Sequence, residues 1–139
     1  MKRSEQDIRF QWDLTKIFPD TAAWEAAMQA ASVAVDALAS VPGTLGTSKE
    51  AFKAGLDAVF AASLKMETPY IYAFLKKTED GSDARSQEME AKATSLAVKF
   101  GAATAFVNPE ILAIPAETLD AWMQDEALAT YCHTVDDIV

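Results

Sequence analysis

Chemistry needs side chains that hold a proton, a metal or a nucleophile in company, and this chain brings few of them together. His133, Asp136 and Asp137 have helical spacing for metal ligands, yet one imidazole near a C-terminal end reads as a surface group. The acidic run Glu79-Asp80-Gly81-Ser82-Asp83 lacks the alternating oxygen ligands and the distal bidentate glutamate of a calcium loop, so it reads as a turn. Cys132, the only cysteine, sits in apolar company beside Tyr131 and reads as buried and inert. One cysteine excludes an intrachain disulfide framework, and one histidine excludes every zinc site built on two. No phosphate-cradling glycine loop, acid/base pair or nucleophile with a base stands out. The residue inventory is not that of a complete enzyme.

The aromatic residues are better candidates for recognition. Tyr70 and Tyr72 lie two apart, on opposite flanks of a helix, so one is expected to face away from the core and line a groove or channel. Trp12, Phe18 and Tyr131 are candidates for contact with another domain or a second copy. Met28, Met66, Met89 and Met123 fall on or near apolar faces and read as core filler, and Trp24 and Trp122 as core or interface.

These side chains must be positioned by helices. The 139 residues include 27 alanines against five glycines and five prolines, a balance that favours helix throughout. Acidic residues number 21 against 12 basic, and the net charge of −9 argues against binding a polyanion such as nucleic acid. The length suits one domain that buries about two-thirds of its unfolded surface. No apolar run is long enough to span a membrane, and the start Met1-Lys2-Arg3-Ser4-Glu5-Gln6-Asp7 has no apolar stretch behind its basic residues. We therefore expect a cytoplasmic, reduced setting with no membrane or nucleic-acid partner. The expected fold is all-α: an antiparallel bundle of about five or six helices over residues 20–139, behind an irregular leader over 1–19.

Along the chain, the leader carries Phe10, Trp12, Leu14, Ile17 and Phe18, and Pro19 then opens a helix capped by Asp20 or Thr21. Trp24, Met28, Ala31, Val35 and Leu38 mark one face of a helix over about 20–40, which Val41-Pro42-Gly43 stops. Thr47-Ser48-Lys49-Glu50 reads as a capping box with Thr47 as the cap. The helix it starts should turn Phe52, Leu56, Val59, Phe60 and Leu64 to a core and break or kink at Pro69. Met89, Ala93, Leu96, Phe100, Ala103 and Val107 form the cleanest amphipathic run, which Asn108-Pro109 should end near 107. Pro109 and Pro115 suit the first turns of two short helices, and a last helix is expected over about 125–138. Because no cap, glycine or proline follows it, we expect the chain to be cut from something longer.

The ordered segments resemble a known family. Phe10-Gln11-Trp12-Asp13-Leu14-Thr15-Lys16-Ile17-Phe18-Pro19 with Trp24, then Gly43-Thr44-Leu45, Tyr70-Ile71-Tyr72-Ala73 and Asn108-Pro109-Glu110-Ile111-Leu112, resemble the N-terminal part of oligoendopeptidase F, a thimet-oligopeptidase-like zinc metallopeptidase. The resemblance implies a non-catalytic helical lobe that packs against the catalytic domain of the same polypeptide and walls a channel for short peptides. It places zinc in that other domain, on an H-E-x-x-H helix with no counterpart in this sequence, so this chain carries no cofactor, catalytic or metal-binding residue. The alternative is a free-standing acidic, alanine-rich interaction protein of the phasin-like, granule-coating kind. An excised lobe should also bare apolar surface and self-associate, with the Tyr131–Val139 end as a candidate contact.

Overall fold

Short polar residues open the helices. In the computed structural model, which describes residues 6–139, the Asp20 carboxylate accepts from the Ala23 amide (2.8 Å) and starts α1, Thr21–Ala37. Ser48 does the same for α2, Lys49–Glu79, through the Ala51 amide (3.1 Å), and Asp83 for α3, Ala84–Thr104, through Ser86 (2.8 Å). Three shorter helices follow: α4 (Val107–Ala113), α5 (Ala116–Met123) and α6 (Cys132–Asp136). No strand occurs among the described residues, and 3-10 turns at Ile8–Phe10 and Leu14–Lys16 form the leader. Of the start Met1–Asp7, read above for a secretory signal, residues 1–5 lie outside the described residues.

α2 is the central element, packed along both α1 and α3, and the short turn 80–83 makes α2 and α3 antiparallel. The expected all-α antiparallel bundle with an irregular leader is the fold observed. Its interior runs along α2. Toward the N-terminal half, Leu38, Leu45, Phe52, Leu56, Ile111, Leu128 and Val135 pack together; toward the C-terminal half, Leu14, Trp24, Tyr72, Ala73, Met89 and Ala93 do. Each large side chain so buried stabilises the fold by roughly 1.5–3 kcal/mol. Among the described residues, no single helix is long and apolar enough to cross a membrane.

Five expectations are corrected. The cap of α2 is Ser48, not Thr47, whose hydroxyl instead donates to the Thr44 carbonyl (2.7 Å). Glu50 is thereby shifted to the second helical position, and Ala51 at the third has no side chain to close a capping box. Pro69 does not break α2: its ring is fully buried beneath Trp24 of α1, which donates to its carbonyl, and that packing outweighs a helix-interior cost of about 3 kcal/mol. Phe60 and Leu64 point outward, at 41% and 66% exposure, while Ala62 takes the core position between them.

The third run ends at Thr104, and α4 starts before Asn108-Pro109. Pro109 is tolerated because the first-turn amides of a helix have no intrahelical acceptor. The final segment is a 3-10 helix over Glu126–Tyr131 with only Cys132–Asp136 in α form. Leu128 and Tyr131, three apart, both face the core because a 3-10 helix has three residues per turn.

Candidate functional site

The segments that carry the family resemblance meet one another in space. The Trp24 indole donates to the Pro69 carbonyl (2.9 Å), immediately before Tyr70-Ile71-Tyr72-Ala73. Phe18 stands edge-on to Tyr72, with ring centroids 5.1 Å apart, and Leu14 of the same leader is buried in that cluster. Glu110, in the first turn of α4, accepts from the backbone amides of Gly43 and Leu45, the latter at 3.2 Å. Gly43 has φ +83°, a conformation that favours glycine, and it lets the connector curl around the carboxylate. These three joints fasten leader to α2, α1 to α2, and the α1–α2 connector to α4. The signature residues therefore build the fold.

A fourth joint ties the C-terminal segment to α2. The Tyr131 hydroxyl donates to Asp57, which also pairs with Lys53 (2.7 Å), and the Tyr131 ring lies 5.5 Å from that of Phe60. The Lys53 hydrogen bond, then that of Tyr131, lowers the Asp57 pKa below its usual value. Burial, reinforced by the Asp57 charge, pushes the Tyr131 phenol up to about 12. Nearby, Lys49 pairs with Asp125, which caps the last 3-10 helix through the Ala127 amide (2.9 Å).

The candidate recognition residues divide by burial. Tyr72 and Tyr131 are each 6% exposed and packed inside the bundle: Tyr72 is the inward member expected of the tyrosine pair, whereas Tyr131, read above as a contact residue, is internal. Phe18 is half-buried against Tyr72. Tyr70 (38%) and Trp12 (76%) face outward. Trp12 lies at the rim of a cleft of about 380 Å³ between the leader and α2, with Tyr72, Lys76 and Glu79 on its far side.

The candidate ligands for chemistry stay dispersed. Among the described residues, no three of His, Cys, Asp and Glu approach closely enough to hold a metal ion. His133 is exposed and Cys132 half-buried, its Sγ 3.9 Å from the Leu128 carbonyl. Asp80 and Asp83 spend their carboxylates on Ser82 and Ser86 amides at 2.9 and 2.8 Å, as turn and cap.

One surface feature escaped the reading of the sequence. Phe60, Leu64, Ile71 and Phe74 are all exposed, between 41% and 66%, on one side of α2. Their spacing of four, seven and three residues puts them within roughly 80° at 100° per residue. The opposite side carries Ala62, Met66, Pro69 and Ala73, a second apolar ridge of mostly small residues. Two apolar ridges on one helix signal two occupied sides, and that signal is legible in the sequence.

No family model matches the chain. It is 33% identical over 133 residues to the plasmid oligoendopeptidase F of Lactococcus lactis subsp. cremoris, covering 94% of this chain and 22% of that protein. It is 29% identical over 137 residues to the group B oligopeptidase PepB of Streptococcus agalactiae, covering 98% of this chain and 23% of the relative. The oligoendopeptidase-F crystal structure from Enterococcus faecium superposes with a TM-score of 0.77 at 23% identity, over 86% of this chain and 24% of that one. The chain thus spans little more than a fifth of the length of its curated relatives. Over nearly its whole length it is similar to oligoendopeptidase F proteins, and it has the fold of their helical N-terminal region.

Proposed function

We propose that this chain is the non-catalytic lobe of an oligoendopeptidase F-type zinc metalloendopeptidase. In this reading it packs against the catalytic domain of the same polypeptide and forms part of the wall of a channel that admits short peptides. The observation that carries the reading is the near-complete coverage of this chain by relatives named as oligopeptidases, of which it makes up only 20–23%. The residues present do not fit zinc: the sequence has one histidine, and among the described residues no three of His, Cys, Asp and Glu come together as ligands. Zinc and the water it activates belong to another part of the polypeptide, and what this lobe contributes is shape. A rigid wall excludes folded proteins by size, and Tyr70, the outward member of the tyrosine pair, is its candidate channel-facing residue.

The reading frame that contains this sequence tests the proposal. It should encode H-E-x-x-H downstream, and the purified 139-residue chain should leave a quenched-fluorescence peptide uncleaved with or without added zinc. Chelator-sensitive cleavage by the chain alone, or a frame without that motif, overturns it.

A further inference from the structure

The four large side chains on the outside of α2 need an explanation that the fold does not supply. They form a ridge about 21 Å long at 1.5 Å per residue. None belongs to any buried cluster of the bundle. A contiguous apolar patch of a few hundred Å² marks an interaction surface. One end of it is already occupied from outside the helix pair: the Tyr131 ring leans on Phe60, and Tyr131 bonds to Asp57 one turn earlier. Polypeptide from beyond α5 thus covers the start of the ridge and leaves Leu64, Ile71 and Phe74 bare.

Size and charge select the occupant. A stable interface between separate proteins buries about 800 Å² and roughly 20–30 residues on each side, against the four large side chains of this ridge. A tethered partner escapes most of the cost of association, so a small patch is enough to hold it. Between Phe60 and Phe74 the ridge carries a single charged residue, Glu67, and the chain as a whole is at −9. A second copy would set Glu67 and nine excess negative charges against their like. A lipid surface would need flanking lysines and arginines that this face lacks. The relatives, by contrast, carry more than three-quarters of their length outside the matched region.

We propose that the outer face of α2, formed by Phe60, Leu64, Ile71 and Phe74, docks the remainder of the oligoendopeptidase polypeptide. That remainder presents an apolar face with a basic side chain opposite Glu67. The inference rests on the peptidase-lobe reading and names the surface through which the lobe is held.

Cysteine accessibility tests it. In a Cys132→Ser background, Leu64→Cys, Ile71→Cys and, as an off-ridge control, Lys65→Cys are labelled with a maleimide. Each is measured in the 139-residue chain and in a full-length hybrid where this chain replaces the matched region of the Lactococcus lactis relative. Leu64→Cys and Ile71→Cys should react at least tenfold more slowly in the hybrid, while Lys65→Cys reacts equally in both. Equal rates at all three positions in a hybrid that still cleaves peptide overturn the proposal. Protection that appears in the isolated chain at high concentration also overturns it, because the occupant is then a second copy. A hybrid that still cleaves peptide but leaves Leu64→Cys open refutes the docking face alone; the peptidase-lobe reading stands or falls on the H-E-x-x-H frame.

Discussion

The two sides of α2 carry similar totals of apolar residues and behave in opposite ways. The inner ridge is mostly small, with Ala62 and Ala73 essentially inaccessible, and this lets α1 and α3 approach closely enough for Trp24 to reach the Pro69 carbonyl. The outer ridge is large and half-exposed. Inside, Ala62 and Ala73 let helices pack closely between the buried Phe52, Leu56 and Tyr72; the large side chains outside are the shape of a surface that fills pockets elsewhere. Hydrophobicity alone does not separate a core face from a docking face, whereas burial does.

The comparison can be broken most forcefully from inside. Trp24→Ala deletes a side chain only 1% exposed together with its hydrogen bond, and should lower unfolding stability by about 3–5 kcal/mol in a urea titration. Glu110→Ala should cost about 2 kcal/mol in the same assay, because two connector amides lose a charged acceptor. A loss below 0.5 kcal/mol would show that the Gly43 curl holds without its clasp.

Tyr131→Phe removes the hydroxyl on Asp57 and should cost about 1.5 kcal/mol at neutral pH. It also changes the alkaline limb. A phenol raised from 10.0 to about 12 contributes stability that is complete below pH 10 and lost as pH climbs toward 12, since the unfolded chain releases the proton first. The variant should lose that decline in thermal melts between pH 9 and about 11.5. Asp57, with its pKa lowered, acts at the other limb: its contribution is present above the ordinary value of 3.8 and fades as pH falls below it.

Glycines sharpen the contrast at smaller scale. A Cβ on Gly55 of α2 would lie 2.3 Å from Leu45 Cδ2 and 3.1 Å from Val41 Cγ1, so Gly55→Ala should destabilise by about 1 kcal/mol despite its better helix propensity. Gly101 of α3 meets nothing within 4 Å, and Gly101→Ala should stabilise by about 0.5–1 kcal/mol. The smallest effect belongs to the outer ridge. Leu64→Glu or Ile71→Glu should move the unfolding midpoint of the isolated chain by less than the equivalent of about 0.5 kcal/mol. A large loss there would mean that the ridge is core, and the contrast would collapse.

Much of this was readable in advance. The core face of α1 follows from Trp24, Ala31, Val35 and Leu38 at helical spacing, and all four are buried as the period requires. Cap chemistry located α2 to within one residue, since Thr47 and Ser48 are both competent and only the placement of the Thr44 carbonyl separates them. The candidate surface was harder to read. Tyr70 and Tyr72 look alike in sequence, and which one turns outward depends on Phe18 arriving from fifty residues away. The contribution of Glu110 likewise depends on Gly43 and Leu45, distant in sequence and adjacent in space.

Alanine content, cap residues and apolar period were sufficient by themselves to determine that this chain is helical and where most helices start. These are local properties, set within a turn or two by backbone propensity and residue inventory. The tertiary structure alone decided which apolar ridge of α2 is sealed and which stays open, that Pro69 is carried through an unbroken helix, and that Tyr131 is an internal strut. Each of those outcomes depends on long-range packing, where a neighbour's shape and the water it displaces outweigh the preference of any single residue.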